Sequence, residues 1–113
     1  MPAKTIVYIL CAGHSGSTLL DLMIGSNADC TSLGEFMHIQ HSLKNGQLIC
    51  QICREECDQW KRFKEIVKPP YYHEAAFEAF QSRILVDSSK NVRWAIRREN
   101  PSDADIRYIR LRR

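Results

Sequence analysis

Residues 6–10, an unbroken apolar run of Ile, Val, Tyr, Ile and Leu, meet a small-residue segment, and that segment opens directly into a helical pattern. The run has the character of a strand buried on both faces. The segment holds Gly13, His14, Ser15, Gly16, Ser17 and Thr18, and behind it Leu19, Leu20, Leu22, Met23 and Ile24 supply the apolar side of a helix. A strand that turns at once into a helix is the opening of a βαβ unit. The chain is thereby committed to an α/β architecture with a parallel sheet.

Such a corner is an anion cradle. Backbone N–H groups converge on it and the positive end of the helix dipole lies behind them. The phosphate loop of nucleotide-hydrolysing proteins reads G-x-x-x-x-G-K-[ST]. Aligning Gly16 with its second glycine puts Cys11 at the first and Ser17 where the lysine belongs. A serine cannot supply the charge that lysine brings to the β- and γ-phosphates, so the loop suits a phosphate-like group without triphosphate machinery. The plainer reading is a strand–turn–helix corner in which Ser15 or Ser17 is an N-cap.

The rest of the chain continues the alternation. Strands are expected over 4–11, 30–33, 84–86 and 106–111, and helices over 17–25, 36–43, 60–67, 73–82 and 92–98. A loop carrying cysteines occupies 47–58. In a parallel sheet, ligands bind beyond the carboxyl ends of the strands. Three of the expected strands end in small or polar residues suited to that rim: 13–18, Gly34 with Glu35, and the stretch from Asp87 to Lys90.

At 113 residues the chain is at most one domain. A net charge of +3 is too small to argue for nucleic acid, although seven of the sixteen basic residues fall between 93 and 113. No apolar run approaches a membrane span and no targeting pattern is visible, which points to the cytoplasm. Five cysteines without a secretory signal suggest thiols or metal ligands rather than a disulfide scaffold. Cys50, Cys53 and Cys57 are spaced C-x₂-C-x₃-C, and His38 or His41 would complete four zinc ligands. Reduced thiols or a local disulfide in an insert over 46–60 are the competing reading.

Three segments together, in this order, resemble the sulfotransferase family, which transfers a sulfuryl group from 3′-phosphoadenylyl sulfate (PAPS). The stretch from Gly13 to Leu20 is similar to the family's 5′-phosphosulfate loop, often R-S-G-S/T-T-L-L. Ser32, Leu33, Gly34 and Glu35 resemble the acidic end of its second strand, and Val86 to Lys90 its D-S-S-K segment. The cysteine-bearing stretch up to Trp60 is similar, with altered spacing, to the C-x-C-G…C-x-x-W insert of bacterial members. The resemblance implies a P-loop NTPase-like sulfotransferase fold and a hydroxyl or amine acceptor on a small molecule or carbohydrate. It implies a PAPS site formed by Gly13, His14, Ser15, Gly16, Ser17, Thr18, Ser89, Arg93 and Arg113.

Sulfuryl transfer needs positioning and charge stabilisation more than covalent help. Glu35 is the expected general base, a role worth roughly 10²–10⁴-fold. Lys90 is the expected cation for charge building on the bridging oxygen. His14 stands where relatives carry arginine or lysine and can donate to a sulfonate oxygen, with a pH dependence of its own. Plainer roles are a solvated Glu35, a surface Lys90, and Asp87 or Ser88 as a cap of the helix at Val92; Asp87 can also pair with Lys90. Family members continue from the last strand into an R-D-P-R segment, whose first arginine Arg113 resembles. The chain therefore reads as the N-terminal portion of a longer domain, expected to be inactive alone. A P-loop kinase or NTPase and a zinc-stabilised interaction module are the alternatives.

Overall fold

The computed structural model describes residues 4–10, 29–45 and 57–110. The loop at 13–18, the helix expected over 17–25, Arg113, Cys50 and Cys53 lie outside these residues.

The described chain alternates as its hydrophobic pattern requires. Strand β1 (Lys4–Leu10) is followed by β2 (Cys30–Ser32), a 3₁₀ turn (Phe36–His38) and α1 (Ile39–Asn45). Next come α2 (Asp58–Ile66), α3 (Tyr72–Phe80), β3 (Ile84–Asp87), α4 (Val92–Ala95) and β4 (Ala104–Arg110). The four strands form one all-parallel sheet in the order β2-β3-β1-β4. No described helix is long and apolar enough to cross a membrane.

Burial on both faces explains why β1 is nearly continuous in apolar residues. Ile6 and Tyr8 enter the main core with Leu85 of β3, while Ile9 and Val86, out of phase with them, are fully buried on the other face. The core on the first face is aromatic. Phe36 sits at its centre, with its ring centroid 5.8 Å from Phe63, 4.9 Å from His73, 6.3 Å from Trp60 and 6.1 Å from Trp94. Helix α2 contributes Trp60 and Phe63 at i, i+3 spacing and leaves its lysines, Arg62 and Glu65 in water. Helix α3 buries Tyr72, His73, Ala75, Ala76, Phe77 and Ala79. It stops where Gln81 takes a left-handed conformation at φ 51°.

Two helices differ from expectation. The stretch over 36–43 opens as a 3₁₀ turn because the His38 N–H bonds the Glu35 carbonyl, three residues back. The last helix ends at Ala95 rather than Arg98, because the Asn100 side chain takes the Ala95 carbonyl at 2.8 Å.

The strand order positions the site. From β1 the chain passes to β2 at one edge, returns to β3 beside β1, and then crosses to β4 on the far side. The strand order thus reverses between β3 and β1, the place beyond whose carboxyl ends ligands bind in open parallel sheets. Tyr8 pairs with Asp87 in register, so β3 ends beside the point where the chain leaves β1.

Candidate functional site

At the exit of β2, the Leu33 N–H donates to the Val86 carbonyl at 2.8 Å and extends the ladder one residue. Gly34 then turns the chain at φ 64°, a conformation that a side chain would penalise. Its carbonyl accepts the Ser88 N–H at 2.8 Å and the Phe36 N–H at 3.0 Å. Glu35 is left exposed at the lip, with one carboxylate oxygen 3.2 Å from His38 Nε2 and the other 3.4 Å from Lys90 Nζ.

At the exit of β3, Asp87 is wholly buried, and Ser88 and Ser89 nearly so. Asp87 Oδ1 accepts the Ser89 N–H at 3.0 Å and the Ser89 hydroxyl. Its Oδ2 accepts Trp94 Nε1–H at 2.7 Å and lies 2.8 Å from His73 Nε2, which donates as the ring's protonated nitrogen. These four donors meet the acceptor capacity of an ionised carboxylate, so the buried charge is compensated. The Ser89 oxygen in turn accepts the Met37 N–H at 2.9 Å. The Arg97 guanidinium lies 4.0 Å from the Trp94 ring centroid, and its Nη2 donates to the Pro70 carbonyl. Tyr8 extends the group: its hydroxyl donates to Asn100 and lies 3.4 Å from His73 Nε2. Burial, then the charge of Asp87, push the Tyr8 hydroxyl well above the usual phenol range.

Lys90 follows with φ 64°, an uncommon conformation for a side-chain-bearing residue, costing of order 1–2 kcal/mol. Its partner Glu35 is 46 % exposed, and a pair open to water returns at most about 1 kcal/mol. The ion pair alone does not account for the backbone at Lys90. The segment just before it is bonded to the β2 exit through the Ser88 N–H and the Ser89 hydroxyl.

The structure therefore brings together Glu35, Ser89 and Lys90 from the expected site. Arg93 is on α4, one helical turn on, and exposed. Gly13, His14, Ser15, Gly16, Ser17, Thr18 and Arg113 lie outside the described residues. Two plainer readings of Asp87 are corrected. Asp87 neither caps α4 nor pairs with Lys90; the cap is Asn91, whose Oδ1 accepts the Trp94 N–H at 3.2 Å. Ser89 directs its hydroxyl to Asp87 and Met37, inside the fold. His73, Trp94 and Asn100 were missed by sequence reasoning; a polar residue on the buried stripe of an amphipathic helix was the available signal for His73.

Among the described residues no group of His, Cys, Asp and Glu has the arrangement of a metal site. His38 turns to Glu35, and His41 to the Asn45 side chain at 2.9 Å. Cys57 is a free thiol beside the core. Burial, with the Asp29 carboxylate second, pushes the Cys30 thiol up, away from the reactive thiolate.

The molecule is thus an α/β protein with a four-stranded parallel sheet and a charged pair at the carboxyl rim. Comparison with protein-family models, with curated proteins and with solved structures finds no match.

Proposed function

We propose that this rim is the active-site end of a sulfotransferase of P-loop NTPase-like fold, which passes a sulfuryl group from PAPS to a hydroxyl or amine. The observation that carries the reading is the meeting of Glu35 and Lys90, 3.4 Å apart on the exits of two parallel strands. Both lie on the side of the sheet's connection reversal where ligands bind. The resemblance of 13–20, 32–35 and 86–90 to the family's ordered motifs supports the same reading.

In this mechanism the acceptor oxygen or nitrogen attacks sulfur while its proton passes to a Glu35 carboxylate oxygen. The bond from sulfur to the 5′-phosphate oxygen breaks, and Lys90 meets the negative charge left on that oxygen. The amides and hydroxyls of the 13–18 loop, with His14, hold the phosphosulfate, and Arg93 and Arg113 attract the nucleotide's other phosphate. The acceptor is a small molecule or carbohydrate bound against the outer side of Glu35.

Nuclear magnetic resonance titration with 3′-phosphoadenosine 5′-phosphate (PAP), the desulfated product, tests the reading. Shifts are expected at Gly34, Glu35 and 88–93 as well as in the 13–18 loop. Mg-ATP perturbing these residues at lower concentration than PAP would favour phosphoryl transfer instead.

A further inference from the structure

The β2–β3 ladder continues past the ends of both strands into their exits. Its rungs there are Leu33 N–H to Val86 O, Ser88 N–H to Gly34 O, and Met37 N–H to Ser89 Oγ, and it ends at the Lys90–Glu35 pair. The third rung depends on a side chain. Ser89 Oγ can present a lone pair to Met37 only if its proton points elsewhere, and Asp87 Oδ1 takes that proton. Asp87 is itself oriented from two other elements, by His73 of α3 and Trp94 of α4 through Oδ2.

We propose that Asp87 is a positioning residue for the Glu35–Lys90 pair, acting through Ser89. By fixing the Ser89 hydroxyl it ties the 3₁₀ turn after Glu35 to the segment before Lys90. Carboxylate and ammonium are thereby held at one separation before any ligand arrives. The left-handed backbone of Lys90 is a mark of this constraint, since such conformations persist where their surroundings over-determine them. The positioning concerns the pair whatever ligand it takes; its extension to a sulfonucleotide rests on the function proposed above.

The test couples Glu35 to Lys90 with a water-soluble carbodiimide, which joins a carboxylate and an amine in contact, and reads the linked peptide by mass spectrometry. The parent chain should give the Glu35–Lys90 link. Ser89→Ala leaves Asp87 its contacts with His73 and Trp94, and should lower the yield about tenfold, as loss of a hydrogen bond to a charged group allows. Ser89→Thr, which keeps the hydroxyl, should restore it. Asp87→Ala, which removes the acceptor of the Ser89 hydroxyl, should act like Ser89→Ala; if it fails to fold, judged by circular dichroism, the serine variants decide alone. A parent-level yield in Ser89→Ala, or no link in the parent, overturns the proposal. PAP affinity is measured on the same proteins. A lost link with unchanged PAP affinity upholds the positioning and contradicts the sulfonucleotide reading, whereas loss of both supports the two together.

Discussion

Lys90 concentrates the tension between stability and function in a single residue. Its backbone is left-handed, its side chain is largely buried, and its partner is half in water. Glycine relieves the backbone cost and alanine does not. Lys90→Gly should therefore be more stable than Lys90→Ala by about 1 kcal/mol in urea denaturation, although both lose the ammonium and its pairing with Glu35. Equal stability of the two would show that the conformation carries no strain. Tyr8 makes a prediction about pH. Its pKa is raised in the folded chain, so the unfolded chain releases the phenolic proton first as pH rises. Stability from this group is complete below about pH 10, the ordinary phenol value, and falls above it by about 1.4 kcal/mol per pH unit. Thermal unfolding across pH 9–11 (about the range of the phenol titration) should show this fall in the parent and a shallower one in Tyr8→Phe.

Among elements, the 3₁₀ turn at 36–38 does more than its length suggests. It carries Phe36 into the centre of the aromatic core and offers the Met37 N–H to Ser89. Phe36→Ala should cost about 3–5 kcal/mol in urea denaturation, a large share of the roughly 5–15 kcal/mol typical of a domain. Asn91→Ala, which removes only the cap of α4, should cost about 1 kcal/mol. The elements themselves were legible in the sequence: β1 from its apolar run, α2 from Trp60 and Phe63, α3 from its alanines and phenylalanines. Their ends were less so. Asn100 ends α4 from five residues away, and the i−3 bond at His38 gives the 3₁₀ start, details that hydrophobic spacing does not encode. That Glu35, Ser89 and Lys90 fall at the exits of neighbouring strands was legible from strand pattern and motif order. The partners of Asp87 were not, because they lie 14 and 7 residues away on two different helices and meet only when both pack.

At the scale of the whole molecule, the alternation of strands and helices announced a parallel sheet, but not the order β2-β3-β1-β4. That order is set by which crossover packs where, a tertiary choice that local pattern does not contain. It is also what gives the rim its meaning, since it puts the exit of β3 between the exit of β2 and the end of β1. The function proposed above requires this rim to hold a sulfonucleotide through Lys90. Calorimetric titration of PAP into the parent chain and Lys90→Ala, in magnesium-free buffer, tests it most directly. Saturable binding by the parent is expected, weakened about tenfold or more in the variant, as loss of a charged contact of about 1.5–3 kcal/mol requires. Absence of PAP binding by the parent, or equal affinity in the two proteins, would contradict it.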